Sequence, residues 1–427
     1  MSFYLGDEKM KALFKSKEYV YLISSQVVSS LGDWLDILAL MALVSINWQA
    51  SPMEMTYLML CFSVPMIVFG PFAGVLADKY DRKKLMIISD IVRAIMVFGV
   101  VFAPSLWTVY ILLFIKSSFS ALFFPSKNGK IKEIVSEEHM QQAVSLSSMI
   151  DNGSKIIGPM ISGLVVASVG VKPAFYIDAA TFLISAVLLL GMNSSNIEKV
   201  KENKNVKKAG MFKEMKAGFA FIKTMPAVLF GLLILSSALL VLQIADTQIM
   251  ILLREIPGEP VNLVGYAMSA SGAGMFVMSA YLGKKEISSV NGYLAFGAIG
   301  VGAAFASIVF LVNLPIITLN IVMPAVFFLA GFAAASVFIP FNVMAQKNTP
   351  VHMSGRTFGT INSVATAASI IGMILGGVLV EGIGVKAAFI LSGGLLVLIG
   401  IGTAIVKPGI KGSVTFAESE PGIQREA

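Results

Sequence analysis

The sequence predicts an all-α integral membrane protein of about twelve spans in two parallel six-helix repeats, and three observations carry that prediction. The first is composition: 56% of the 427 residues are hydrophobic and the mean hydropathy is +0.82, well above the roughly 45–50% apolar content of soluble domains. The second is run length. A spanning helix needs about 20 mostly apolar residues, and such runs follow one another here with unbroken hydrophobicity, not the alternation of an outer-membrane barrel. The third is internal repetition. "GVKPAF" at 170–175 returns as "GVKAAF" at 384–389, and the same register, 214 positions from Gly170 to Gly384, sets Gly158 on Gly372, Gly163 on Gly377 and "SGLVV" on "GGVLV". Agreement at several positions under one offset, half the chain long, marks two copies of one unit. Parallel repeats about an axis along the membrane normal place a binding site near the midplane between them.

In chain order the spans are expected near 19–48, 54–77, 85–103, 106–126, 142–168, 173–192, 226–252, 262–282, 290–312, 316–343, 355–380 and 385–406. Lys9, Lys11, Lys15 and Lys17 precede the first run, which lacks a small-residue cleavage site and is expected to be retained. Every second loop is then basic: Lys79, Arg82, Lys83 and Lys84; Lys127, Lys130 and Lys132; the stretch Lys199 to Lys223; Lys284 and Lys285; Lys347 and Arg356; Lys407 and Lys411. The intervening loops hold Lys172, Arg254 and Lys386. By the positive-inside rule both termini are cytoplasmic, and the net charge of +7 is this bias, not a nucleic-acid footprint. The longest polar stretch, "NSSNIEKVKENKNVKKAGMF" at 193–212, divides the runs six and six. The organisation expected is a bundle at 1–192, a cytoplasmic linker at 193–225, a second bundle at 226–406 and a disordered cytoplasmic tail at 407–427.

Ionisable groups inside apolar runs cost free energy unless paired or wet, so they mark candidate sites. In the first span Asp33 and Asp36 lie three apart on one helical face, Asp33 roughly 21 Å along at about 1.5 Å per residue. That depth makes Asp33 the first choice for a carboxyl that binds a proton in one conformation and releases it in another; the competing reading is a standing ion pair with Arg93 or Lys116. Arg93 in the third span has three readings: pairing with Asp33, binding an anionic substrate, or pairing locally with Asp90. Asp151 and Lys155, four apart in the fifth span, are expected to neutralise each other. Asp178 is expected at the interface near the outer end of the sixth span, and Asp246, near Gln243, to line a cavity in the second half. Twenty-nine Phe and 24 Met offer adaptable apolar surface for bulky amphipathic molecules. Trp34 is the aromatic to test for such contact, against ordinary helix packing as its alternative.

The most concentrated charge is "GVLADKYDRKKL" at 74–85, between the second and third spans. Gly74 there is expected to let a helix end approach its neighbour, with Asp78 accepting from Arg82 or from a helix N-terminus, a latch that holds in one conformation and opens in another; the competing reading is a positive-inside topology signal. Gly74, Leu76, Ala77, Asp78, Arg82 and Lys83 resemble the loop signature of the major facilitator superfamily, G-x-L-A-D-[KR]-x-G-R-[KR]; Asp81 stands where that family usually has Gly. "FFPSKNGKIKEIVSEEHMQQAVSLSS" at 123–148, "GPMISG" at 158–163 and "FYIDAATFLIS" at 175–185 resemble the macrolide-efflux and enterobactin-exporter branch. Gly153, Gly158, Pro159 and Gly163 resemble the glycine-proline motif of drug:proton antiporters. Physically, their small size permits close helix packing and Pro159 removes a backbone donor. Gly372 and Gly377 repeat the face, but Met373 replaces the proline, so the halves are not equivalent.

The resemblance implies a multi-pass transporter of a bacterial cytoplasmic membrane, acting as a monomer. It would exchange an amphipathic small molecule for protons, with membrane lipids as its other partners. Lys116 lies where many proton-coupled relatives carry Arg in the fourth span, which implies a part in proton release. A native siderophore or other metabolite, or a lysophospholipid-like lipid, are the alternative substrates. No enzyme is expected: the chain has no H-E-x-x-H helix, no G-x-S-x-G elbow and no phosphate-binding G-x-x-x-x-G-K-[ST] loop. A lone Cys61 excludes a thiolate metal site, so neither metal nor cofactor is expected and an ion gradient is left as the energy source.

Overall fold

Helix α1 (Lys17–Ala42) starts where the Ser16 hydroxyl accepts from the Tyr19 amide and ends in a π turn at Leu43–Asn47. The structure, a computed structural model, describes residues 13–192, 219–256, 260–283, 289–349 and 354–406. Eleven further long helices follow among these residues: α2 (Pro52–Lys79), α3 (Arg82–Val100), α4 (Leu106–Ile134), α5 (Glu137–Val169), α6 (Val171–Leu190), α7 (Pro226–Asp246), α8 (Pro260–Gly283), α9 (Val290–Leu311), α10 (Ile316–Asn348), α11 (Ser354–Ile383) and α12 (Val385–Ile405). A short helix, Ile249–Leu253, continues α7. Among the described residues ten helices are long and apolar enough to cross a membrane; α3 carries too much charge and α5 is apolar only from Ile157 to Val169. Large apolar side chains such as Trp107, Phe310, Ile317 and Ile321 point outward, which suits a protein whose surroundings are lipid.

The start signals are local. Ser51 and Glu54 form a reciprocal capping box at the head of α2. Asp81 caps α3, accepting from the amides of Lys83 (2.9 Å) and Lys84 (3.3 Å). The acid therefore does not disturb the turn: it replaces one accepted helix cap, Gly, with a better one. Asp81→Gly is expected to cost a few tenths of a kcal/mol and Asp81→Ala about 1 kcal/mol, an order readable as successive falls in melting temperature in detergent.

The repeat seen in the sequence is a repeat in space. Within the first half α1 packs on α5 and α6, α4 on α2 and α3, and α3 on α6; within the second, α7 packs on α11 and α12, α10 on α8 and α9, and α9 on α12. Across the halves α5 meets α8 and α11 meets α2. Gly170 and Gly384, matched under the 214-residue offset, have φ of 86° and 84° and begin α6 and α12 directly, a conformation that L side chains avoid. The glycine pairs behave alike. Gly158 lies against Trp34 of α1 as Gly372 lies against the Leu240 carbonyl of α7. Gly163 lies against Gly265 and Ser269 of α8 as Gly377 lies against Thr56 and Met53 of α2. One glycine of each pair thus closes a bundle, and the other closes the seam between bundles. In lipid, where no hydrophobic effect drives helices together, such close backbone approach is a main source of helix affinity. Pro159 sits inside α5 without ending it.

Candidate functional site

Four polar residues of α1, Gln26, Ser29, Asp33 and Asp36, fall on one stripe, spaced three, four and three, and α4 turns two lysines to it eleven residues apart, three full turns. Each lysine holds its own set. Lys116 Nζ lies 2.7 Å from Asp33 Oδ1 and 2.9 Å from Asp36 Oδ2, the second an ion pair that lacks hydrogen-bond alignment. Lys127 Nζ donates to both oxygens of Asp151, at 3.1 and 2.9 Å, while Gln26 donates to Asp151 (2.7 Å) and accepts from Ser147 (2.9 Å). Asp151 is therefore held by Lys127 across two helices; its expected partner along α5, Lys155, has a side chain that lies outside the described residues.

The Lys116 set is a buried polar cluster. Arg93 of α3, almost wholly buried, pairs with Asp90 on its own helix, reaches Asp33 Oδ2 at 3.4 Å and donates to Ser29 Oγ at 3.1 Å. Two of its three sequence readings are thus realised together. Ser185 of α6 donates to the other Asp90 oxygen at 2.6 Å. Aromatic faces complete the wall: the Arg93 guanidinium stands 4.6 Å from the Phe123 ring and 4.4 Å from that of Phe182, and Lys116 Nζ 5.6 Å from Phe62 and 5.5 Å from Phe182. Cations seated on rings and bonded to carboxylates are stabilised at a depth where bare charge is excluded. Asp33 alone among these acids is exposed, with 39% of its side chain uncovered, against 1% for Asp36 and none for Asp90.

Several expectations need correction. Asp178 is not interfacial: α6 begins at once after Gly170, so Asp178 lies roughly 10 Å along it at about 1.5 Å per residue, fully buried against Gly32 of α1. Trp34 spreads over Gly158, and its carbonyl accepts from Ser162 Oγ (2.8 Å), so it joins α1 to α5. Gly74 touches nothing that a β-carbon would meet, so here it does not bring two helices together. The side chain of Asp78 is outside the described residues. Arg82 reaches from the head of α3 to α4, donating to the Gly129 carbonyl (3.3 Å) and Glu133 (2.6 Å) as well as to the Ala77 carbonyl (3.1 Å). Glu133 also accepts from buried Lys130 (3.0 Å), and Lys83 donates to the carbonyls of Leu190, the last residue of α6, and of Met192 just beyond it. Asp246, the last residue of α7, is solvent-accessible, and Gln243 has an enclosed, unpartnered Oε1 among the described residues. Lys284, Lys285 and the tail from 407 lie outside the described residues.

The two halves are joined at one end. Every described hydrogen bond between them lies toward the face away from the lysine-rich loops: Thr56 to the Met373 carbonyl (3.2 Å), Gln248 to Thr56 and to the Pro52 carbonyl (both 3.1 Å), Ser269 to the Met160 carbonyl (2.5 Å), and Arg254 to the carbonyls of Ala50 (2.6 Å) and Ser45 (3.5 Å). Arg254 there meets the C-terminal carbonyls of α1, where a cation is favoured. At the basic end Gly70 and Gly74 of α2, Gly153 of α5 and Gly359 of α11 all face open space. Among the described residues the hydrogen bonds between the halves thus gather toward one face, and none is found at the basic end.

Comparison with known proteins agrees with this architecture. The sequence pattern of the Major Facilitator Superfamily matches residues 22–372. An uncharacterized MFS-type transporter of Bacillus subtilis, YfiS, is 44% identical over 398 residues, 93% of this chain and 95% of that one. Macrolide efflux protein A of Streptococcus pyogenes is 25% identical over 355 residues (79% and 83% of the two chains), and the enterobactin exporter EntS of Shigella flexneri 29% over 325 residues (73% and 72%). Among solved structures the nucleoside transporter NupG superposes with a TM-score of 0.66 at 17% identity, covering 91% of this chain and 98% of that one, a likeness of fold.

Proposed function

Because the chain belongs to the major facilitator superfamily, we propose that this membrane transporter is a secondary active exporter that moves amphipathic, macrolide-like small molecules out of the cytoplasm in exchange for protons. The observation that carries the reading is the Lys116 cluster, ion pairs buried in a membrane protein with a single acid, Asp33, exposed. Intramembrane ionisable groups of this kind mark ion or substrate pathways. A proton or a cationic substrate arriving from the solvent side meets Asp33 first and competes with Lys116 and Arg93 for its oxygens, so occupancy of one site alters the contacts between α1, α3 and α4.

The distribution of lysine and arginine sets the basic end toward the cytoplasm, so the state described is the one that loads from inside, and the joined face is the outward gate. The names of two relatives, one a macrolide efflux protein and the other an enterobactin exporter, support export and a substrate with both apolar and polar parts. No cofactor is called for; the gradient supplies the energy, and one chain suffices because both repeats are covalently joined.

The test is uptake of a labelled macrolide by proteoliposomes with and without an acid-inside gradient. Wild type is expected to accumulate substrate only with the gradient, and Asp33→Asn to lose that response. Wild-type uptake that ignores the gradient, or matches empty vesicles, would move the search to siderophores, lysophospholipids and Na⁺.

A further inference from the structure

The mechanism proposed above uses Asp33, yet a different carboxyl in the same cluster has no cation of its own. Fully enclosed in the cluster are three acids, Asp36, Asp90 and Asp178, and two cations, Arg93 and Lys116. Lys116 serves Asp36 and Asp33; Arg93 serves Asp90 and Asp33. Among the described residues Asp178 receives only a long bond from Thr181 Oγ1 (3.4 Å) on its own helix, and its Oδ2 has no partner. The charged groups facing it are Asp36 and Asp33 from α1, Lys116 from α4 and Arg93 from α3, beyond which stands Asp90. A carboxylate buried without a cation neutralises by taking a proton.

The repeat supplies a second, independent observation. Under the 214-residue offset the counterpart of Asp178 is Ser392 of α12, equally buried, whose hydroxyl donates to the Val241 carbonyl of α7 at 2.6 Å. A small hydroxyl therefore satisfies the packing of this position against the first helix of a bundle. The carboxyl in the first half is a departure that packing does not require.

We propose that Asp178 is the residue that holds the exchanged proton, reached from exposed Asp33 by way of Asp36. The inference rests on the proton-exchange reading above and names a different carrier within it. No bond other than O–H is made or broken: Asp178 Oδ2 gives its proton by way of Asp36 and Asp33 to water on one side of the membrane and regains one from water on the other. The carrier also adjoins the packing that joins α1 to α5. Gly32 leaves no room for a β-carbon beside Asp178 and Thr181, and two residues on Trp34 bears on Gly158 and Ser162 of α5, the helix whose Gly163 meets α8 across the seam.

The experiment is an infrared pH titration of the purified, lipid-reconstituted protein, without substrate, beside gradient-driven uptake. Wild type is expected to show a protonated-carboxyl band that disappears as the pH is raised. Asp178→Ser, matched to Ser392, and Asp178→Asn should both lose the band and the response of uptake to the gradient, while keeping substrate counterflow. A wild-type spectrum with no such band overturns the proposal without any variant. So does a band, or a gradient response, that survives in a variant that still performs counterflow. Should wild type show the band, and Asp178→Ser lose it, while wild-type uptake ignores the gradient, the proton site stands and the antiport reading falls.

Discussion

Lys116→Met is expected to destabilise the protein by about 3–5 kcal/mol, the range found when one partner of a buried ion pair is removed, and to abolish transport. One ammonium holds two carboxyls here, but their shares differ. Asp33 keeps 39% of its side chain exposed and retains Arg93 at 3.4 Å, so water and the guanidinium cover much of its loss. Asp36 has 1% of its side chain exposed and no other partner among the described residues, so most of the cost falls there. The test is a double-mutant cycle read as melting temperature in detergent: Asp36→Asn should be mild alone and should restore much of the stability lost in Lys116→Met. Additive losses would mean that Lys116 acts through its seat on Phe62 and Phe182, not through Asp36. Lys116→Arg is expected to keep stability better than function. A planar fork retains the charge but cannot place one nitrogen between two carboxyls as a compact ammonium does.

The same cluster shows how far the sequence could be read. Depth alone made Asp33, Arg93 and Lys116 candidates, because an ionisable residue in an apolar run is conspicuous wherever the helix ends fall. The partners were harder. Gln26, Ser29, Asp33 and Asp36 form a stripe visible in the spacing of α1, and the eleven-residue interval from Lys116 to Lys127 on α4 was equally legible, so the capture of Asp151 by Lys127 left a signal. Asp178 left less. Its depth depended on α6 starting at residue 171, and that start is set by a positive φ at Gly170, which sequence periodicity does not report. The fold was the most legible part, since the spacing of apolar runs and the 214-residue register are properties of the whole chain that no local error can erase. The surroundings of Gly74 were not legible: its place in the charged loop suggested a close helix approach, whereas in the structure a β-carbon there would meet nothing.

The seam between the halves gives a prediction with two signs. Gly163→Val puts a β-carbon where the Gly265 carbonyl and the Ser269 backbone amide already stand, and backbone on both sides leaves no flexible side chain to yield. The α5–α8 seam should then open at the joined face. A clash of about 1–3 kcal/mol moves a two-state balance roughly 5–150-fold. Thr56, fully buried between the halves, reports the change: in a Cys61→Ser background, a thiol introduced by Thr56→Cys should resist an impermeant maleimide in the parent and react in Gly163→Val. Gly153, ten residues earlier on α5, faces open space in the present state and by the alternating logic meets its neighbour only when the basic end closes. Gly153→Val should therefore halt transport as well, yet leave the introduced thiol more protected than in the parent, not less. Protection that falls in both variants would mean that substitution merely loosens α5. Opposite changes would show that one helix carries both gates, and that a glycine's place along it decides which gate it serves.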